Sequence, residues 1–372
     1  MRRIVIPLVS CSLLLTACAE GEPEATEDDV ARIEQSLVNG SALAWELVQA
    51  ESRVAGICMQ DLGFEVHDAS ALHGHMFPDR FEGFASPYSR VPTVEQARLF
   101  GFGGWVFYTD TEETQEMWKH PEYLAFTADD QGWSDPGEDA AMEEWQAMDE
   151  AYRAEWGEAF YGPERFAYDQ QMQEAFDEDP EAAMEADFGP QPGFGGCELE
   201  TLDVVYGGPG LRESEEEDVW YRPLPETPLT WVGDGDLYAE LSADHADQEE
   251  DFLFCVEDRG HGEWEFDGMG WLQTGVYLER LYGLGVEYEG SGVEAPPLSD
   301  EAEDADDPRT FEFAMALDFA ECAESSGLRD GTEEAWARMY VERLIDRESE
   351  VFAWEQEIQE YLANAQEYIA GG

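Results

Sequence analysis

The residues whose spacing carries the most chemistry are His73 and His75, on either side of Gly74, with His67, Asp68 and Asp79 close by. In an extended chain, alternating imidazoles share one side, and carboxylates can complete a divalent-metal site. Gly74 loosens the pair and nothing comparable recurs later in the chain, so solvated loop histidines are the simpler reading. Asp234-Gly235-Asp236 opens like a calcium loop, but Tyr238 falls at the next ligand position. Lys119, the only lysine, has Glu116 three residues earlier, where a serine–lysine nucleophile pair would need serine. The chain has no G-x-S-x-G elbow, H-E-x-x-H pair, P-loop or dinucleotide fingerprint. Paired carboxylates for glycoside hydrolysis are defined by their separation in space, and with 87 acids the sequence nominates no two. No catalytic residue and no cofactor is therefore assigned.

Cys18 carries a different chemistry. Arg2 and Arg3 precede a short apolar run, and Leu15-Thr16-Ala17 places small residues before the cysteine. The run is too short to cross a bilayer and fits a cleaved secretory signal over residues 1–17. Its ending resembles a bacterial lipobox, which predicts that Cys18 is lipidated and becomes the mature N-terminus. An ordinary signal peptide cut elsewhere is the alternative. The expected location is the outer face of the cell membrane, with the lipid as the attachment.

A formal charge of −68 excludes phosphate-backbone binding as a main role, because that affinity comes from basic residues that release counterions. It also repels an anionic membrane surface. A hydrophobic share of 43%, with 13% aromatic residues, is enough for a packed core. Four cysteines remain beyond the signal and the anchor: Cys58, Cys197, Cys255 and Cys322. An even number in an exported chain points to two disulfides, and without a C-x2-C knuckle zinc is disfavoured.

The elements that position these residues show a repeat. Residues 94–103 read V-E-Q-A-R-L-F-G-F-G and residues 276–285 read V-Y-L-E-R-L-Y-G-L-G. Each follows a C-x4-G segment, at Cys58 to Gly63 and at Cys255 to Gly260. Two patterns recurring in one order argue for internal duplication. The fold class expected is mainly α, with two related disulfide-closed helical units and a long C-terminal helix; α+β is the alternative. The divisions are an acidic tether at 18–40, a first unit at 41–211, a linker at 212–240 and a second unit at 241–372. If each unit closes its own bond, the pairs are Cys58–Cys197 and Cys255–Cys322, each contributing about 4–5 kcal/mol by chain entropy. Crossed pairing, Cys58–Cys255 with Cys197–Cys322, would tie the units together instead.

Ser41 is the expected N-cap of the first helix, whose stripe Leu43, Leu47, Val54, Cys58 and Leu62 ends at Gly63. Thr93 with Gln96 predicts a capping box for a helix over 94–100, and the second copy predicts one over 271–282. Residues 121–126 and 142–161 carry helical patterns, and 177–196 reads as a loop delivering Cys197. A helix is expected from Asp330 to about residue 370, with a seam of Tyr340, Leu344, Arg347, Val351, Trp354, Ile358, Tyr361, Ala365 and Tyr368. That seam either covers the chain's own cysteine-bearing helices or forms a dimeric coiled coil. The repeated R-L-aromatic-G-x-G stretch is expected to stop a helix packed under the disulfide-linked helix of its own unit.

C-M-x3-G-F at 58–64, A-F-Y-G at 159–162, G-G-C at 195–197, V-Y-G at 205–207 and Glu312-x5-Asp318-x3-Cys322 together resemble a group of uncharacterised actinobacterial surface lipoproteins. The resemblance implies export, a lipid anchor and disulfides, and it carries no activity. The function expected is non-enzymatic: surface interaction, binding or envelope support, with a cell-envelope or protein partner. An extracellular hydrolase acting on glycan or cell-wall material, and a divalent-metal binder, are the alternatives.

Overall fold

The computed structural model describes residues 25–65, 81–128, 144–186, 188–213, 218–284 and 292–371. The signal, Cys18, and the group His67, Asp68, His73, His75 and Asp79 lie outside the described residues. The fold is mainly α, as expected.

The first helix begins earlier than the sequence suggests. α1 spans Glu27–Asp61, opened by a Thr26–Asp29 capping box and an acidic first turn. The expected tether at 18–40 is thus helical from Glu27, and Ser41 lies inside the helix. Ile33, Leu37, Ala44 and Leu47 are buried along one stripe, which the acidic residues around Asp28 hide from a composition reading. Ser41 does other work: its hydroxyl accepts the Phe81 amide at 2.8 Å.

Next in order come the 3-10 turn Pro87–Arg90, α2 (Val94–Phe100), α3 (Gly104–Tyr108), α4 (Glu112–Met117) and α5 (Pro121–Ala128). α6 (Glu150–Tyr161), α7 (Pro163–Glu178), α8 (Pro180–Glu185) and α9 (Gly196–Tyr206) follow. The expected loop at 177–196 therefore carries a helical turn, capped by Asp179 with Pro180 at its start. The segment expected as a linker is also structured. β1 (Gly210–Arg212) pairs antiparallel with β2 (Val219–Tyr221), Gly210 opposite Tyr221. A 3-10 turn, Pro228–Trp231, leads to α10 (Asp234–Asp244). The cause is its apolar content: Leu224, Leu229, Trp231 and Val232 pack onto the main core.

α11 (Ala246–Asp258), α12 (Thr274–Leu281), α13 (Asp300–Glu303) and α14 (Pro308–Ser326) follow. The final helix is not continuous. α15 (Leu328–Leu344) and α16 (Glu348–Gly371) are joined by a 3-10 turn, Ile345–Arg347. The break falls at the one charged seam position, Arg347, whose guanidinium lies 3.7 Å over the Trp231 ring. Beyond it, Val351, Trp354, Ile358 and Ala365 are buried against the chain's own α1. The two helices run side by side in the same direction. Arg32 donates to Glu348 at 2.6 Å and Ser36 to Glu355 at 2.6 Å.

Both disulfides close within their own half. Cys58–Cys197 links α1 to α9 and Cys255–Cys322 links α11 to α14, each with Cα atoms 5.7 Å apart. The halves nevertheless share a core: one apolar cluster runs from Ile33 and Leu37 through Phe252, Phe319, Tyr340 and Ile358.

Candidate functional site

The repeated stretches do not fold as copies. After Cys58, the amide of Phe64 donates to Met59 O at 3.0 Å and that of Gly63 to Gln60 O at 2.9 Å. After Cys255, the amides of His261 and Gly260 donate to Val256 O at 3.3 Å and Glu257 O at 2.9 Å, a matching terminator. The second R-L-Y-G-L-G copy ends the same way, with Leu284 donating to Glu279 O at 2.9 Å and Gly283 at φ 74°. The first copy departs from this. α2 stops at Gly101 with φ 66°, and the chain turns again at Gly103 with φ 86°, aiming successive amides at one point. Nor does each copy lie under the disulfide-linked helix of its own unit: Ala97 of α2 packs on Ala316 and Ala320 of α14, in the other half.

That point is the Glu312 carboxylate. Its Oε1 accepts the amides of Phe102 at 3.0 Å and Gly104 at 2.9 Å, and its Oε2 accepts the Tyr282 hydroxyl at 2.6 Å. The first copy and the glycine just after it thus supply the amides, and the second copy supplies the tyrosine. Glu312 is fully buried. Burial pushes its carboxyl up to about 7, although the tyrosine and the amides favour the charged form. Burial, with Glu312 adjacent, raises the Tyr282 phenol as well. Asp318 on the same helix accepts from Arg259 at 2.6 Å and faces His261 Nε2 at 2.7 Å, and Cys322 closes the disulfide. The Glu-x5-Asp-x3-Cys pattern therefore fastens α14 to the chain segments following α2 and α11. Each of the three ties α14 to a neighbouring segment.

One of two concave surfaces adjoins the glycine turn that holds Glu312. Phe102, Gly103 and Gly104 form part of a cleft of about 420 Å³, together with Tyr108, Trp118 and Phe126. A second cleft, about 820 Å³, is lined by Phe81, Phe84, Leu224, Leu229, Trp336 and Tyr340 among others. Pro87, Ser89, Arg90 and Trp271 line both clefts, with the Arg90 guanidinium 3.5 Å over the Trp271 ring. This shared wall is held from several directions. Arg329 donates to Ser89 O at 2.9 Å, and Ser86 and Thr332 hydroxyls meet at 3.0 Å in the interior. Tyr88, 1% exposed, donates to Glu249. On the other side, Asp267 accepts the amides of Met269 at 2.9 Å and Trp271 at 3.0 Å. Both surfaces of the wall are thus fixed before any ligand arrives.

The charged groups lining the first cleft are Arg90, Arg329 and Glu279, and those lining the second are Arg90 and Glu226. Neither cleft presents two carboxylates among its described lining residues. The buried carboxylate pair Glu51 and Glu198 lies elsewhere, around Arg222 beside the Cys58–Cys197 bond, and lines neither cleft. Burial raises both acids, with the Arg222 charge opposing it. Among the described residues, no three His, Cys, Asp or Glu side chains are grouped to hold a metal. Asp234 lies in the first turn of α10 rather than in a loop. Lys119 makes an exposed pair with Glu116 at 3.2 Å.

Sequence reasoning missed Arg90, Trp271 and Glu312 as positioning groups. Only Glu312 left a trace, as a member of the spaced Glu–Asp–Cys pattern. No family model matches the chain, and no curated protein or solved structure matches it either.

Proposed function

We propose that this is a lipid-anchored extracytoplasmic protein, held through Cys18 on the outer face of the cell membrane, with a non-enzymatic binding role in the envelope. The observation that carries the binding role is the Arg90–Trp271 wall, which separates two aromatic-lined clefts whose described lining residues include no carboxylate pair. Aromatic walls with a few fixed polar groups suit holding a molecule, whereas glycoside hydrolysis requires two acids set across a scissile bond. The lipobox supports the anchor, and no described helix is long and apolar enough to cross a membrane.

Two measurements test the reading. Cys18→Ala should move the protein from the membrane fraction to the medium, and retention in the membrane would remove the anchor. Intrinsic tryptophan fluorescence of the purified mature chain should change saturably on titration with either an envelope lipid extract or solubilised envelope polysaccharide, and the added material should be recovered unchanged. A cleaved product would point to a hydrolase, and no response to either would remove the binding role.

A further inference from the structure

We infer that the smaller cleft takes a neutral saccharide, packed by a C–H face on the Phe107 and Trp118 rings and met at its hydroxyls by the side-chain amides of Gln96 and Gln273. This deepens the binding role proposed above and rests on it.

An uncovered aromatic platform forms part of the wall. Phe107 lines this cleft of about 420 Å³ and is 53% exposed. It stands edge-on to Tyr108, with centroids 5.1 Å apart at 85°, and to Trp118, at 6.2 Å and 63°. Both of those rings line the cleft as well. Contiguous exposed apolar surface rimmed by polar groups marks a binding site. Because Phe107 crosses its neighbours instead of lying parallel to them, it makes no slot with them for a flat aromatic ligand. A saccharide ring is puckered, with C–H groups on its faces and hydroxyls around its rim.

Two glutamines, each half-committed to the protein, suit that rim. On α2, Gln96 Oε1 accepts the Thr93 amide at 2.8 Å, and just before α12, Gln273 Nε2 donates to Asp267 at 3.1 Å. Both side chains line the cleft. The other end of each amide makes no hydrogen bond among the described residues, and neither is sealed from solvent. Gln96 therefore keeps N–H donors and Gln273 keeps a carbonyl acceptor, each on a group already oriented. A hydroxyl both donates and accepts, so a polyol satisfies the two. A hydrocarbon satisfies neither.

Charge disfavours the ionic alternatives. The charged lining groups are Arg90, Arg329 and Glu279, two cations to one anion, so a cationic ligand meets local repulsion. Arg329 is committed to the Ser89 and Val91 carbonyls and Arg90 to the Trp271 ring. The −68 of the whole chain lowers the occupancy of anions. A neutral ligand meets neither penalty.

The test uses the mature full-length chain and solubilised envelope polysaccharide, separated by anion exchange into neutral and anionic fractions, with an envelope lipid extract alongside. Trp118 and Trp271 line the cleft and report by intrinsic fluorescence. The neutral fraction should change the signal saturably, at low salt with a half-saturating concentration about tenfold below that of the anionic fraction. Phe107→Ala removes the platform at an exposed position and should raise that concentration about tenfold, the scale of one aromatic contact. Gln273→Leu should raise it about fivefold, the scale of one hydrogen bond. Phe254→Ala, which alters an exposed ring on α11 outside the cleft, should bind like the parent. The inference is overturned if the neutral fraction has no effect, if Phe107→Ala or Gln273→Leu binds it like the parent, if Phe254→Ala weakens it as much as Phe107→Ala, or if the anionic fraction binds as tightly. A response to the lipid extract alone removes the saccharide and leaves the binding role standing. No response to any of the three removes both.

Discussion

Glu312 concentrates the residue-scale physics of this protein. A carboxylate fully removed from water is held by two well-aligned amides and a phenol, with no cation among those donors, and its pKa rises to about 7. In the unfolded chain an ordinary glutamate titrates near 4.5, so the folded state binds a proton more readily. Stability from this group is fully present below the unfolded value and is lost as pH rises through about 7. The shift is worth roughly 3 kcal/mol, at about 1.4 kcal/mol for each tenfold change in affinity. Denaturant unfolding should therefore show stability increasing as pH falls from 8 to 5. Glu312→Gln preserves the shape and lets the phenol reverse its role, so its profile should be flatter over that range. Parallel profiles for the two proteins would show that Glu312 does not titrate there.

At the scale of elements, the contact between α1 and α16 decides much of the fold, and Gly40 is its tightest point. Alanine is normally the better helix former, by about 1 kcal/mol. Here its methyl carbon would have to lie 2.1 Å from Trp354 Cζ3, so the tryptophan or the helix must shift. Overpacking of this kind costs about 1–3 kcal/mol. Gly40→Ala should therefore lower the unfolding free energy, and a gain would mean that the interface is looser than the structure shows. Which elements were legible follows from where their causes lie. The C-x4-G helix ends, the Thr93 capping box and the Cys pairing rest on residues close in sequence or on their repetition, and the structure bears them out. The start of α1 was hidden because its buried stripe begins amid acids, and the break at Arg347 because a single charged seam residue is not by itself a stop. The clefts were beyond reading: their walls gather residues from 81–127, 224–238 and 266–279 and from α1, α15 and α16, segments far apart in sequence. Glu312 is one acid among 87, distinguished only by the glycine turn that finds it.

The whole molecule is set by the balance between its charge and its staples. A charge of −68 opposes compaction. Against it stand two disulfides closing segments with sequence separations of 139 and 67 and one apolar cluster drawn from both halves. Because Leu37 and Leu47 of α1 share that cluster with Phe252, Phe319 and Ile358, unfolding either half exposes apolar surface of the other. Calorimetry should therefore show a single transition, with agreement between calorimetric and van't Hoff enthalpies. Removing Cys255 and Cys322 together by alanine substitution should lower stability by about 4 kcal/mol, on the chain-entropy scale for a loop of that length, and the loss should be shared by the whole transition. Two resolved transitions, with only the later one shifted by the double substitution, would show that the halves unfold independently in spite of the shared core. Added salt separates the two contributions. Screening shortens the reach of surface charge to about 3 Å at 1 M, so raising salt should stabilise the parent and the double variant by similar amounts, because the disulfide acts on chain entropy and the salt on charge. A much larger salt effect in the variant would mean that the bond restrains charge repulsion directly.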